Sequence, residues 1–448
     1  MINDPTVRGL IGSKHYNIWA RFQIAKVGYV VINLSNPNDM LLNAQWGEDQ
    51  ESPCGAGQFQ IFADSGTVLG NLSPFSDGPL STGASDPLIY PGAYVNLETS
   101  IVSPGSGPGE WQQMFTGRLD KVNVANDERS MSLVCRDLGG FLVNHWFWPT
   151  GADQGESAVK MAASTPRLDA LIEDLVNYAN PKGEFHFGTS KSVLPLIVPQ
   201  IPDFFVTVYP QEPGPLLDIL QQKALQIGWD CRYRYNAASN LWLLTLINPE
   251  KEQFAIHDNE WILVPEVRLL PNEYVNISRL EIDDSDVRNY IEVIASDRSI
   301  AYAEDANSKS KYDFRPLRIA EDAAEHINNV DEAQVMANSA LRDLKDPRAT
   351  HECEFLYWPL VQLNDIQQYA ANNVLYSRDL TFAVESYQHT LTMDKHRTII
   401  TARGNPMTTR TRWYNGQPRM QHIYTTDPVG TAKERAVWYK VLSTDFLT

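Results

Sequence analysis

The sequence predicts a mainly β protein with α+β insertions. Three observations carry this. The 448 residues include 11 Trp, 19 Tyr and 16 Phe, and aromatic side chains favour strands. The 27 Pro and 26 Gly are spread along the chain, which punctuates it with turns. Segments in which apolar and polar residues alternate recur near both ends, the period of a half-buried strand. A chain of this length exceeds one ordinary core and divides into roughly two to four domains.

The elements follow in order. WARFQIAKVGYVVINLS, from Trp19 to Ser35, is β-branched and aromatic and reads as strand. In GQFQIFADSG, Phe59, Ile61 and Ala63 alternate with Gln58, Gln60 and Phe62. LIYPGAYVNLETSIV and WQQMFTGRLDKVNV are further strands, joined by SPGSGPGE (Ser103 to Glu110). That loop is no phosphate cradle, because no helix opens behind it. In GRLDKVNVANDERSMSLVCRDLGG, Met131, Leu133 and Cys135 share one strand face and Ser132, Val134 and Arg136 the other. NDER (Asn126 to Arg129) supplies the turn. Cys135 therefore takes an inward slot as a core thiol. A catalytic cysteine needs a histidine base and an electropositive pocket. His145 is near in sequence, but nothing places it across from Cys135.

STPRLDALIEDLVNYANPKG predicts a helix. Ser164 or Thr165 is its N-cap, Pro166 lies in its first turn, and Leu168, Leu171, Ile172, Leu175 and Val176 form its apolar stripe. A second helix spans about Leu216 to Ile227, with Gly228 at the left-handed position past its end. WDCRYRY and LWLLTLI follow as strands joined by NAASN. This helix–strand–strand unit reads as a small α+β domain. β-structure returns with EYVNISRLEI, NYIEVIAS and KYDFRPLRI. One helix interrupts it, Asp331 to Lys345, with Ala333, Met336, Ala337, Ala340, Leu341 and Leu344 on one side and Pro347 just beyond. HECEFLYW, LTFAVESYQHTL and HRTIITARG are the last strands. From Asn405 the chain turns locally basic, with Arg410, Arg412, Arg419, Lys433, Arg435 and Lys440, and reads as an extended arm or small terminal element.

Charge and cysteine usage bound the function. There are 37 basic and 55 acidic residues, a net charge of -18. Nonspecific DNA binding rests on cations displacing phosphate counterions, so most of this surface should repel DNA. MINDPTVRGLIGSKHYNIW lacks the apolar stretch of a secretory signal. No apolar run approaches the ~20 residues of a membrane span. Synthesis in the cytosol and no membrane-spanning segment are expected. Cys54, Cys135, Cys231 and Cys353 are widely separated and form no C-x-x-C pair, so they read as free thiols.

Some constellations approach chemistry and fall short of it. Asp283, Asp284 and Asp286 offer the clustered carboxylates of a glycosidase, yet suit a solvated turn and lack the glycine and distal glutamate of a calcium loop. HECE puts His351 and Cys353 on one strand face and Glu352 and Glu354 on the other. Two ligands without a third make no metal centre. There is no G-x-S-x-G elbow and no Walker loop. Trp46, Trp111, Trp146 and Trp148 suit sugar stacking, but equally cores and interfaces. HWFWP (His145 to Pro149) reads as an inter-domain or inter-subunit contact. No catalytic residue, cofactor site or metal site is expected.

Two hairpins echo each other. With Phe115 set over Phe382, Asp127 meets Asp394, Arg136 meets Arg403, and Val124 matches Leu391 in character. Met131, Leu133 and Cys135 then lie over Thr398, Ile400 and Ala402. Unrelated hairpins also agree in part, so the echo alone leaves duplication open.

The order of segments resembles a known family. GRLD…LVCRDLGG closes the first β region, and a helix–Gly–Trp–strand unit follows. Then come RNYIEV, SKSKYDFRPL, the helix DEAQVMANSALRDLKDP and a hairpin running into ARGNP. This layout, over about residues 15–415, resembles the baseplate hub (tail hub) proteins of tailed bacteriophages, which are similar to the hub part of type VI secretion spikes. The resemblance rests on the order and character of segments.

It implies two tube-type β-barrel domains, at 1–149 and at 273–406 with one helix, a smaller α+β domain at 150–272, and a C-terminal arm or small terminal element at 407–448. It implies a structural, non-enzymatic homotrimer whose six barrels ring a DNA ejection channel. That ring would join a six-fold tail tube or distal tail protein above to a three-fold spike, fibre or other baseplate proteins below. Genome DNA would pass through the lumen without specific binding. The expected location is the virion tail baseplate, assembled in the host cytoplasm. A tail-associated cell-wall hydrolase and a receptor- or carbohydrate-binding tail protein remain as alternatives.

Overall fold

The structure is a computed structural model. It describes residues 5–25, 32–36, 41–50, 52–62, 89–125, 130–147, 196–197, 214–226, 230–236, 241–247, 254–257, 260–263, 267–295, 297–319, 330–359, 361–363, 365–371, 379–392, 395–404, 413–414 and 417–418. The helix predicted at Ser164 to Gly183, the NDER turn, Gly228 and most of the basic arm lie outside the described residues.

Helix α1 (Pro5–Ser13) precedes strands β1 (Asn17–Ala25), β2 (Ile32–Asn36), β3 (Leu41–Asp49), β4 (Ala56–Phe62), β5 (Tyr94–Val102), β6 (Gln112–Ala125) and β7 (Ser130–Asp137). Helix α2 (Gly139–Asn144) and the short strands β8 (Trp146–Phe147), β9 (Leu196–Ile197) and β10 (Gly214–Pro215) lead to helix α3 (Leu216–Gln226). Next come β11 (Asp230–Asn236), β12 (Leu241–Ile247), β13 (Phe254–His257), β14 (Glu260–Leu263), β15 (Val267–Leu269), β16 (Asn276–Asp283), β17 (Tyr290–Ile294) and β18 (Ile300–Glu304). Helix α4 (Ala306–Tyr312), β19 (Pro316–Ile319) and helix α5 (Val330–Leu344) follow. The chain ends in β20 (Arg348–Phe355), β21 (Ile366–Tyr369), β22 (Leu380–Thr392), β23 (His396–Gly404), β24 (Trp413–Tyr414) and β25 (Gln417–Pro418).

Three local readings change. The run from Trp19 to Ser35 holds two strands, β1 and β2, which pair antiparallel with each other from Ala20–Asn36 to Ile24–Ile32. KYDFRPLRI is strand only from Pro316. Its Lys311 and Tyr312 close helix α4, which Asp305 starts by accepting from the Ser308 N–H at 2.8 Å. Among its described residues the second β region therefore holds two helices, α4 and α5. Helix α1 has no counterpart in the sequence reading. Its Ile11 is buried in the core formed by the late strands, and its Arg8 is paired with Glu273 at 2.8 Å.

Thirteen strands join in one sheet, in the order β16-β20-β23-β22-β3-β4-β7-β6-β5-β1-β2, with β21 also on β22 and β15 parallel to β21. The fold is thus mainly β, with helices added. Two hydrophobic cores lie along this sheet. The first gathers Phe22, Phe59, Phe115, Leu133 and Cys135, with ring centroids 4.5 Å apart for Phe22–Phe59 and 5.4 Å for Phe59–Phe115. The second gathers Cys353, Phe355, Trp358, Phe382 and Ile400. Each fully buried side chain of this size contributes ~1.5–3 kcal/mol. Away from this sheet, α5 packs on β17 and β18, and β11 pairs with β12, which pairs with β9.

The two halves of the large sheet repeat one arrangement. One row across the first half runs Trp46, Gly57, Cys135, Leu119. The matching row in the second half runs Leu280, His351, Ala402, Val384. The ladder slips by one residue just after Leu119 in β6 and just after Val384 in β22, a β-bulge at the same place. Leu119 N–H donates to Ala93 at 2.8 Å, and Val384 N–H donates to Asp365 at 3.0 Å. The hairpin echo in the sequence therefore holds for β7 and β23, where Arg136 and Arg403 correspond. It is two residues out for β6 and β22, so the Phe115–Phe382 match is coincidental.

The halves meet where β3 pairs antiparallel with β22, from Asn43–Thr392 to Asp49–Ser386. A Cβ at Gly47 would stand 2.2 Å from the Tyr387 carbonyl oxygen, so only glycine permits this approach. Gly47→Ala is expected to cost about 1–3 kcal/mol, read as a lowered thermal unfolding midpoint. Gly107→Ala, at a position with nothing within 4 Å, should leave the midpoint unchanged.

Candidate functional site

The residues that suggested chemistry fill structural places. Cys135 is buried, and burial pushes its thiol up. His145 is half-buried and uses its backbone carbonyl to accept from Leu216 N–H at 2.9 Å. Asp283 is exposed and closes a turn, accepting from the Ser285 N–H at 2.8 Å and hydroxyl at 2.6 Å. Those two bonds, the hydroxyl first, hold its carboxyl below the usual range. Asp284 pairs with Arg315 at 2.8 Å. His351 and Cys353 do share a face, but it is the core face. The His351 ring lies 4.1 Å from Tyr369 and 4.9 Å from Phe382, and burial pushes its pKa down to about 4. Glu354, on the other face, pairs with Arg397 at 2.6 Å.

The tryptophans divide. Trp46 is core. Trp111 lies under the Arg21 guanidinium at 4.5 Å. Trp146 is 58% exposed and pairs through its backbone with Pro215. Trp148 lies outside the described residues. Among the described residues no group of three or more His, Cys, Asp or Glu could hold a metal ion. Among them, too, no helix is long and apolar enough to cross a membrane.

What the structure does build is the seam between β3 and β22. On its core side the Trp46 and His389 rings meet at a tilt, with centroids 4.8 Å apart, and Tyr357 stands edge-on to both. His389 Nδ1 bonds Thr398 Oγ1 at 2.9 Å, and burial pushes its pKa down to about 3, so the ring is neutral. The Tyr357 hydroxyl donates to Thr99 at 3.2 Å, tying the second half into the first core. At one end of the seam, Gln50 N–H extends the ladder to Glu385 at 2.9 Å.

Charge is concentrated beneath that end. Arg232 of β11 is buried and donates to the carbonyls of Asp49 (3.1 Å), Gln50 (2.7 Å) and Ser52 (2.9 Å). Arg234 reaches the other half, to Asp365 at 2.9 Å and Gln362 at 3.1 Å. One strand of the α+β unit therefore clamps both halves. Glu48 and Asp137 lie in the same region. Desolvation pushes both carboxyls up, and the Asp137 charge adds to the rise at Glu48. Asp137 also accepts from Gly55 N–H and Gly139 N–H, each at 2.7 Å.

The solvent face of the seam differs in character. A groove of about 510 Å³ there is lined by Gln45, Gln58, Val134, Gln388 and Thr401, among others. Gln58 donates to Ser132 at 3.1 Å and Gln60 to Ser130 at 3.0 Å, a ladder of amides and hydroxyls. Among the described residues several edges of the large sheet have no strand partner: β16 and β2 at the two ends of the strand order, β15 beside β21, and β6 beyond Leu119, where its pairing with β5 has stopped. The β6 and β16 edges expose large apolar side chains: Val124 at 48%, Leu280 at 39% and Ile282 at 63%. Alternation in the sequence marks these residues as one face of a strand, but gives no sign that the strand is an edge.

Two measurements check this site. In iodoacetamide labelling of the native chain, Cys135, Cys231 and Cys353 should react only after unfolding, as all three are buried. The raised Glu48 carboxyl holds a proton in the folded chain that the unfolded chain has released. Its stabilising contribution is full below the ordinary range and is lost as pH rises from about 4.5 to about 8. Glu48→Gln should therefore flatten the fall of the unfolding midpoint over that window, with its largest gain over the parent at the alkaline end.

No protein-family model and no curated protein sequence matches this chain. Solved structures do. The tail protein from Neisseria meningitidis MC58 is 14% identical, with a TM-score of 0.51 over 88% of this chain and 98% of that one. The 43 kDa tail protein of prophage MuSo2 from Shewanella oneidensis is 13% identical, with a TM-score of 0.51 over 87% of this chain and all of that one. At such identity the likeness speaks for architecture, and the chain has the fold of these two tail proteins.

Proposed function

We propose that the chain is a structural, non-enzymatic part of a phage tail: a baseplate hub, three copies of which close into a ring. The observation that carries this is the repeat of one strand arrangement on either side of the β3–β22 seam. Two like units per chain, taken three times, present six near-equivalent positions. Such a ring matches a six-fold tail tube or distal tail protein on one side and a three-fold spike, fibre or other baseplate protein on the other. The shared fold with two tail proteins supports the same reading. On this reading residues 1–149 and 273–406 are the two tube-type barrels. Residues 150–272 brace them, and 407–448 form a terminal arm. The location is the tail baseplate of the virion, after assembly in the host cytoplasm.

In the ring, the face opposite the two cores lines the channel. Gln45, Gln58, Gln60, Ser132, Gln388 and Thr401 stand on it, and nearby charges come in pairs, Arg397 with Glu354 and Arg403 with Glu385. Among the described residues, DNA passing such a surface meets no array of unpaired cations to grip its phosphates.

The full chain should sediment at three times its own mass and appear as a ring in negative stain. It should clear no zone in a peptidoglycan gel. A monomer at every concentration tested would overturn the ring, and a lytic zone would overturn the non-enzymatic reading.

A further inference from the structure

We infer that the α+β unit is a proton-linked brace: seating it on the turn that follows β3 takes up a proton on the Glu48–Asp137 carboxyl pair, and losing that proton as pH rises loosens it. The inference concerns a single chain and does not rest on the hub reading.

The fold builds the pair. Glu48 lies near the end of β3, and Asp137 ends β7. Their side chains flank one glycine: a Cβ at Gly55 would stand 2.8 Å from Glu48 Cγ and 3.0 Å from Asp137 Oδ2. Asp137 also accepts from the Gly55 and Gly139 N–H groups, which favours its ionised form. Two neighbouring carboxyls kept from water do not both ionise readily, so the pair retains a proton.

The groups that keep water out come from the α+β unit. Leu217 of α3 is buried, and a Cβ at Gly139 would stand 3.2 Å from its Cδ2 and 2.8 Å from Asp137 Oδ1. Gln221 of α3 donates to the Pro53 carbonyl at 2.8 Å, and Arg232 of β11 donates to three carbonyls of the same turn. Lifting α3 and β11 away would return both carboxyls to water, where they are ionised at neutral pH. Closing raises their hold on a proton, so by reciprocity a bound proton favours closing.

The neighbouring charged groups leave this titration to the pair. At Glu48, desolvation outweighs the charges of Arg232 and Arg234 on β11. Asp365 is paired with Arg234, and Asp120 with Arg136. Burial pushes Tyr233, Tyr387 and Cys54 up, so all three keep their protons. Because the closed carboxyls are raised, the closing contribution is full below the ordinary carboxyl range. It is lost as pH rises towards about 8. Each pH unit in between changes the closing equilibrium by up to about tenfold per proton taken up.

Infrared titration of the full-length chain tests the reciprocal effect. Above about pH 6 ordinary carboxyls are ionised, so a remaining protonated-carboxyl band reports the raised ones. The parent should show such a band, fading as pH rises further, and Glu48→Gln should remove most of it. Arg232→Gln then separates two outcomes. Removing a nearby cation from a pair that stays closed raises its titration midpoint, whereas releasing the brace lowers it. The midpoint should fall by about one pH unit or more, about tenfold in the closing equilibrium, with circular dichroism matching the parent. Gln221→Ala, which removes no charge, should move the midpoint the same way. A parent without the band, or a midpoint that stays or rises in both variants, would overturn the inference.

Discussion

The backbone pairing of β3 with β22 is the constraint on which the architecture depends. It is a contact between residues more than three hundred positions apart in the chain. Without it the two halves would each present a long unpaired edge. With it, the strands from β16 to β2 form one continuous ladder, and both cores pack against a single twisted surface. The side chains agree with the backbone. Trp46, His389 and Tyr357 fill the core side of the seam, and Gly47 gives up its Cβ so that the strands can approach.

Polar groups fix how the rest is arranged around that pairing. Arg232 is taken out of water, which is tolerated because its guanidinium finds three carbonyls on the turn that follows β3. Its neighbour Arg234 finds a carboxylate on the turn that precedes β21. Alternate residues of one strand are thus committed to opposite sides of the seam. The α+β unit acts as a brace, and the raised carboxyls of Glu48 and Asp137 are the electrostatic consequence of closing it down.

The same geometry explains why no catalytic site emerges among the described residues. Nucleophiles and bases need a partly solvated, polarised setting. Here Cys135, Cys353, His351 and His389 sit on the core face among aromatic rings, with the histidines held neutral by burial.

The sequence by itself determined the local structure. Period-two alternation placed Phe59, Ile61, Met131, Leu133 and Cys135 inward, and the apolar stripe with Pro347 beyond it placed α5, since these depend only on near neighbours and on which face meets water. It also held the repeat, readable in β7 and β23. It could not place the repeat in β6 and β22, because the matched partners Leu119 and Cys135 are 16 positions apart whereas Val384 and Ala402 are 18 apart, so no single offset aligns both strands of the hairpin. Helix α1 was illegible for a similar reason: its short stripe acquires meaning only against a core built from residues near the far end of the chain. Tertiary structure alone decided that the two halves share one sheet, that Arg232 is buried, and that Val124, Leu280 and Ile282 stand at open edges. Pairing between distant strands is chosen by backbone hydrogen bonds, which every residue but proline carries alike, so composition and spacing leave no mark of it.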